Sequence, residues 1–436
     1  MGHREVELLA IGAGPANLAL AIALEELAPE LARNALVIER EKDVVWQRGM
    51  LLPDVLSQVS FIKDLVTMRN PQSRFSFINF LHSQGRLDAF VNLGSFVPYR
   101  SEISEYLQWV ADSLAMVRVE YGRECTAVEE TAGTDGSVTG WLVRLANGDT
   151  IGCRYLVIGT GRDARVPEAF ASLPAERVIH STQYMQRIGE VRADLPHRVA
   201  VIGGAQSAAE LFGAALRDLP ECKPTMIMRS IGLNGYESSK FTNELFYNSF
   251  VDEFHNAAPE ARHQLLGEMH RANYGGLAPA TLDSLYRQFY QDRHSGRARL
   301  SMHTMTDVTA TRMDGEEVVL TLNDRKTGSA WELRADLVLL GTGFVRGMPR
   351  TVTALAEALS LDQIEVTRNY RLELGRPASA ACYLQGVNEA THGIADSLLS
   401  VLAARAGEVT HDILAHRAQH KFIPAPRREL STADAA

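Results

Sequence analysis

Apolar residues in this chain gather in short, dense runs, and several of the runs stop abruptly on glycine. Val6-Glu7-Leu8-Leu9-Ala10-Ile11 is followed at once by Gly12-Ala13-Gly14-Pro15-Ala16-Asn17. An Ala- and Leu-rich stretch from Pro15 to Leu27 then has helical spacing, and Ala35-Leu36-Val37-Ile38-Glu39 returns to a strand pattern. Strand, glycine turn, helix and strand together predict a βαβ unit. The succession recurs at Arg198-Val199-Ala200-Val201-Ile202, Gly203-Gly204-Ala205-Gln206-Ser207-Ala208 and Thr225-Met226-Ile227-Met228-Arg229. Two more apolar runs end in one tripeptide, Tyr155-Leu156-Val157-Ile158 before Gly159-Thr160-Gly161 and Leu337-Val338-Leu339-Leu340 before Gly341-Thr342-Gly343. Glycines there suit close backbone approach where the chain crosses between two nucleotide-binding units.

A strand that turns sharply into a helix presents free backbone N–H groups and a positive dipole end, which is a pyrophosphate site. Gly12, Gly14, Pro15 and Asn17 form the first such turn, and Gly203, Gly204, Gln206 and Ser207 the second. Asn17 stands where a third glycine is usual, which predicts a slightly wider helix–strand contact. Glu39 ends the second strand, where a carboxylate accepts the hydroxyls of an adenosine ribose; Arg229 ends the equivalent strand, where a guanidinium pairs with a 2′-phosphate. The contrast predicts FAD at the first turn and NADPH at the second, with hydride passing between them.

The fold class expected is α/β, with two Rossmann-like dinucleotide domains and a small, mostly helical substrate domain. The boundaries read as FAD domain 1–165 and 331–415, NADPH domain 166–235 and 296–330, helical insertion 236–295, and a disordered tail 416–436. Within these, residues 46–110 read as a loop-rich cover over a ligand, 104–114 as a helix, and 398–404 as the closing helix. The 436 residues carry a net charge of −9 with no basic run, which argues against nucleic-acid binding. No apolar stretch approaches the ~20 residues needed to span a bilayer, and no leader is visible, so the cytoplasm is the expected compartment. The four cysteines lie in no paired spacing, which argues against zinc and a redox disulfide.

The residues also carry a family likeness, over about residues 6–410. The motifs are the two glycine turns, Trp46-Gln47-Arg48-Gly49-Met50, Gln58-Val59-Ser60-Phe61-Ile62-Lys63-Asp64-Leu65-Val66, Asn243-Glu244-Leu245-Phe246, Asn273-Tyr274 and Thr391-His392-Gly393-Ile394-Ala395-Asp396-Ser397-Leu398-Leu399-Ser400. In these the chain resembles the microbial N-hydroxylating flavin monooxygenases, specifically the L-ornithine N-monooxygenases of siderophore biosynthesis. The resemblance implies NADPH reduction of FAD, capture of O2 as a C(4a)-hydroperoxyflavin, and transfer of one oxygen to the neutral side-chain amine of L-ornithine. It also implies a homo-oligomer, a tetramer. Lys63 corresponds to the lysine that pairs with the substrate carboxylate. Asn243 and Asn273 correspond to the asparagines at its α-amino and carboxylate ends, and Ser400 to a serine near the side-chain amine, acting through its backbone carbonyl. Gln58 corresponds to a glutamine beside the flavin ring. Lys63, Gln58 and Asn273 are the catalytic candidates. Arg40, Trp46, Gln47 and Leu398 are further cofactor contacts, as is Asn273. Gln47 and Ser57 depart from the family pattern, where many relatives have His and some have Met.

Taken alone, Lys63 in its apolar frame is also a lysine that snorkels to solvent, Asn243 and Asn273 are also caps or turn residues, and Ser400 a solvent-facing helical serine. His392 invites a base, but a structural or flavin-adjacent role is the expectation. A lysine N-hydroxylase of the same mechanism is the rival. The stretches around Thr67-Met68-Arg69-Asn70 and Phe241-Thr242-Asn243 look like the ornithine branch. A disulfide reductase lacks its cysteine pair, and a Baeyer–Villiger enzyme its Phe-x-Gly signature.

Overall fold

In the computed structural model, which describes residues 2–420, the short apolar runs become the centres of two sheets. The first sheet starts with β1 (His3–Ile11), β2 (Ala35–Ile38) and β3 (Arg118–Glu120), parallel to one another in the order β3-β2-β1. It continues through β4 (Cys125–Ala132), β5 (Val138–Leu145) and β6 (Thr150–Ile158), with β6 parallel to β1 and antiparallel to β5. The five strands of the second sheet are all parallel, in the order β10-β9-β8-β14-β7. They are β7 (Val178–His180), β8 (Arg198–Ile202), β9 (Lys223–Ile227), β10 (Ser301–His303) and β14 (Leu337–Leu340). Between β10 and β14, a separate antiparallel meander of β11 (Thr306–Asp314), β12 (Glu317–Asp324) and β13 (Ala330–Ala335) covers one face of that sheet with Val318, Leu320 and Leu322. The last strand, β15 (Ala381–Leu384), returns to the first sheet beside the C-terminal half of β6.

Parallel strands buried on both faces need helices on them. One face of the first sheet is covered by the helices Pro15–Leu27, Arg100–Ser113 and Leu402–Gln419, through Leu18, Leu107, Val409 and Ile413. The helix Gln206–Asp218 covers the second sheet opposite the meander, and the helix Pro279–His294 packs onto it with Phe289 stacked on Phe212 at 5.4 Å between ring centres.

Three expectations shift. The return to the first sheet comes later than residue 331: β13 closes the meander and β14 lies between β8 and β7 in the second sheet. Leu337–Leu340 is apolar throughout, and such a buried strand does not encode which sheet it joins. The closing helix is Leu402–Gln419, preceded by a single tight turn at Leu399–Val401, so 416–419 are helical rather than tail. The expected disorder at 421–436 lies outside the described residues. The helix expected at 104–114 begins earlier, at Arg100, where Glu102 reaches back to the Tyr99 N–H as a cap.

Candidate functional site

Both glycine turns bring the backbone close to a neighbouring strand end. Gly12 has φ +94°, and a Cβ there would lie 2.8 Å from the Gly159 carbonyl oxygen. Gly203 has φ +139°, and its Cβ would lie 2.4 Å from the Gly341 carbonyl oxygen. Neither following helix has a side chain capping its first N–H groups, so these remain for an anion. At the first turn Glu39 Oε2 accepts from the Ala13 N–H at 2.8 Å, which fixes the carboxylate at the strand end. Arg40 is exposed beside it, 3.5 Å from Glu41.

Asn17 does not widen the helix–strand contact; it fills it. The residue is fully buried, its Nδ2 donates to the Ile11 and Gly12 carbonyls at 2.9 and 2.8 Å, and its Oδ1 accepts from Gln385 Nε2 at 2.9 Å. The amide thus satisfies the Gly12 carbonyl, which a glycine here would leave bare, and adds a second donor to the Ile11 carbonyl, already bonded to the Gly159 N–H. Gln385 Oε1 and Asn388 Oδ1 are buried without a hydrogen-bond partner among the described residues. Orphaned acceptors beside the first turn fit a ligand rich in hydroxyls, such as the ribityl chain of FAD. Sequence reading missed both residues, because each is an isolated polar position after β15 with no motif around it.

At the second turn a side chain is tied to the protein. Gln206 Nε2 donates to Glu210 and to Thr281 Oγ1, both at 2.9 Å, and its Oε1 accepts from the Ala278 N–H at 2.9 Å. Its side chain is spent on protein contacts, while the start of the helix it opens has no side-chain cap. Glu210 is paired in turn with Arg100 at 2.9 and 3.1 Å, with both side chains under a tenth exposed. Arg229 is exposed, and no ion pair engages it among the described residues.

Four segments meet where the two halves face each other. Lys63 Nζ lies 3.4 Å from Ser400 Oγ and 4.4 Å from the centre of the Tyr247 ring. The neighbouring Asp64 cannot neutralise it. Its two oxygens already accept from Val66 N, Thr67 N, Thr67 Oγ1 and Phe77 N, and they organise a buried turn. Burial holds the Lys63 ammonium below its usual lysine range. The segment Lys240–Glu244, which carries an exposed Asn243, leads into Tyr247, and Phe246 packs on Val251, Ala395 and Val401. Asn273 ends the short helix His270–Asn273, with its Nδ2 buried and unpartnered among the described residues. The following Tyr274 donates to Glu389 and lies 2.9 Å from Ser397 Oγ.

The structure therefore brings Lys63 and Ser400 together across 337 residues of chain and ties the Asn273 segment to residues 397–400. The contact engages the Ser400 hydroxyl and leaves the expected role of its backbone carbonyl as it was. Gln58 is exposed, and buried Ser57 beside it turns its hydroxyl onto the Val59 backbone. Trp46 packs on the first core with its N–H donating to Ser104 Oγ at 3.1 Å, while Gln47 is exposed and left-handed at φ +53°. Leu398 is half-buried, three residues beyond Ala395, whose carbonyl accepts its N–H. His392 is a structural residue: it is 1% exposed, stacks on Tyr370 at 4.1 Å, and engages Thr391 Oγ1 and the Arg368 carbonyl through its two ring nitrogens. Burial pushes its pKa down to about 4.

Comparison with known proteins gives the chain a family. The model of the family described as L-lysine 6-monooxygenase/L-ornithine 5-monooxygenase matches residues 4–346. The chain is 37% identical to an L-ornithine N(5)-oxygenase of Arthrobotrys oligospora, over 94% of this chain and 89% of that one. Among solved structures, an ornithine hydroxylase from Pseudomonas aeruginosa superposes with a TM-score of 0.88 at 35% identity, covering 94% of this chain and 99% of the other. An ornithine N-hydroxylase from Kutzneria sp. 744, solved with reduced FAD, NADP+ and L-ornithine, gives the same TM-score at 33% identity, covering 95% and 100%.

Proposed function

The chain belongs to the L-lysine 6-monooxygenase/L-ornithine 5-monooxygenase family, and we propose that it hydroxylates the side-chain amine of L-ornithine with NADPH and O2. It is an FAD- and NADPH-dependent monooxygenase. FAD, when bound, supplies the redox chemistry that activates O2. The first turn, Glu39, Gln385 and Asn388 would hold it; the second turn and Arg229 would hold NADPH. A siderophore-type pathway would consume the product, and a tetramer remains part of the reading.

One observation carries the substrate assignment. Lys63 is a half-buried cation in the cleft that meets a hydroxyl and an aromatic face but no carboxylate among the described residues. A desolvated ammonium without a counter-charge is costly, and an amino-acid carboxylate supplies one. Asn243, exposed on the segment that leads to Tyr247, and Asn273, whose Nδ2 has no partner among the described residues, would bind the α-amino and carboxylate ends. The remaining length of the substrate then points its amine away from Lys63, and removing one proton from that amine makes it a nucleophile.

The test is product hydroxylamine measured against NADPH consumed, for ornithine and for lysine. Ornithine should give mostly hydroxylamine. Lysine, one methylene longer, is expected to bind but to give mostly peroxide, because a misplacement near 1 Å can cost ~100-fold in rate whereas a methylene changes binding by only ~1–3 kcal/mol. Lys63→Ala should lose coupled hydroxylation by a similar ~100-fold while flavin reduction by NADPH stays near wild type. Equal or preferred coupling with lysine would move the assignment to the other branch of the family. Collapse of flavin reduction in Lys63→Ala would move Lys63 to a cofactor site.

A further inference from the structure

Glu389 Oε1 is the meeting point of two hydroxyl donors and a guanidinium. Tyr274 Oη and Ser397 Oγ both donate to it, and Arg162 Nη2 lies 3.1 Å away. The Arg162 and Glu389 side chains are only 10% and 14% exposed, so solvent screens the pair weakly. Each group belongs to a different part of the site. Tyr274 follows Asn273, Ser397 stands three residues before Ser400, and Arg162 follows the first Gly-Thr-Gly crossing. That crossing is zipped to the second: Arg165 N donates to the Gly343 carbonyl at 2.9 Å and Val345 N to the Asp163 carbonyl at 2.8 Å. Arg346, just beyond, lies over the Tyr274 ring at 5.7 Å.

The helix bearing Asn273 spans only His270–Asn273 and has no side-chain cap. A single turn of that kind does not hold itself in water. It follows the helix Pro259–Glu268 across Met269, whose N–H donates to the Leu265 carbonyl, and Tyr274 at its end ties it to Glu389. Burial and the adjacent carboxylate raise the Tyr274 phenol to about 12, so it stays a donor at any working pH.

Resting on the function proposed above, we propose that Glu389 is a positioning residue: its carboxylate clamps Tyr274, Ser397 and Arg162 together and so fixes Asn273 and the 397–400 segment relative to both crossings. It touches neither substrate nor cofactor on this account. Its work is to keep the free Asn273 amide aimed into the cleft while the nucleotide halves handle reduction.

The experiment compares wild-type, Glu389→Gln and Tyr274→Phe holoenzymes with ornithine. Glu389→Gln keeps the volume but removes the charge facing Arg162. Hydroxylamine formed per NADPH should fall about tenfold and peroxide should rise, while the rate of flavin reduction by NADPH stays within about twofold. Tyr274→Phe should fall part of the way. Independently of turnover, backbone amide exchange over residues 270–277 should accelerate about tenfold in Glu389→Gln, with the Pro15–Leu27 helix unchanged. Wild-type coupling together with wild-type exchange in Glu389→Gln would overturn the clamp. So would a parallel loss of flavin reduction and coupling, which would make Glu389 a general structural residue. If Glu389→Gln yields no folded protein, Tyr274→Phe decides on the same two measurements. A wild-type enzyme that does not couple with ornithine would sink the substrate reading instead, and the exchange data would still judge the clamp.

Discussion

At the sixth position of the first glycine turn stands Asn17, held by two carbonyls and the amide of Gln385; at the sixth position of the second stands Ala208, which makes only contact. Each packs against the first glycine of a crossing tripeptide. A Cβ on Gly159 would lie 2.7 Å from Asn17 Nδ2, and one on Gly341 would lie 2.6 Å from Ala208 Cβ. The strand ends differ as well. Glu39 is tied to the turn through the Ala13 N–H, whereas Arg229 is exposed and unpaired among the described residues. At the sixth position and the strand end the first turn is tied by polar contacts and the second is not, although Gln206 ties the second turn to the protein elsewhere. That difference suits a group that stays through turnover beside one that must bind and leave, although both turns begin from the same strand-and-glycine device.

Asn17→Leu should break the comparison most severely. It strips the partner from the Gly12 carbonyl and from Gln385 Nε2, and one of two donors from the Ile11 carbonyl, at about 4 kcal/mol given ~1–3 kcal/mol per unsatisfied group. Thermal unfolding and FAD per chain after gel filtration should both fall sharply, with NADP+ affinity of the folded fraction nearly unchanged. Full FAD retention would mean the wiring at Asn17 is not what holds the first site.

Acid should also weaken the first half. Its buried His392 and His416 both have pKa values pushed down to about 4 by burial. The unfolded chain takes these protons near pH 6.5, before the folded chain does, so stability falls as pH drops from about 6.5 to about 4 and levels off below that. For His392 the loss is on the order of 3 kcal/mol at the acid end. Unfolding midpoints measured over that range in wild type and His392→Gln should converge in acid, and parallel curves would remove His392 from the account.

Arg229→Ala is a test of the open side. Loss of one charge-assisted contact costs about 2 kcal/mol, so KM for NADPH should rise roughly thirtyfold with FAD content untouched. An unchanged constant would exclude Arg229 from the NADPH site. The smallest effect is expected from Glu39→Gln. Its amide oxygen can still accept from Ala13 N–H, and the charge and the exposed bond from the Glu41 N–H are lost, at about 1 kcal/mol or roughly fivefold in FAD affinity. A loss as large as that of Asn17→Leu would show that the carboxylate, not the buried amide, anchors the first turn.

The two turns were legible in the sequence because every cue for them is local: an apolar run, glycines with positive φ, and a helix start within about 15 residues. The same holds for the motif around Lys63. What could not be read there is why Lys63 stays free, since that depends on Asp64 turning away to four donors from residues 66, 67 and 77. The placement of β14 failed for a related reason. Its four leucine and valine residues state that it is buried, and nothing in them states beside which strand.

By itself, then, the sequence determined the strand–turn–helix units, the signs of charge at the two strand ends and the residue types available to the site. Each follows from backbone sterics or charge within one short segment. Tertiary structure alone decided that Lys63 meets Ser400, that Gln206 is spent on Glu210, Thr281 and Ala278, and that Tyr274, Ser397 and Arg162 share one carboxylate. Those pairs lie up to 337 residues apart. Their meeting is set by how two sheets and their crossings pack, which side-chain pattern along the chain does not encode.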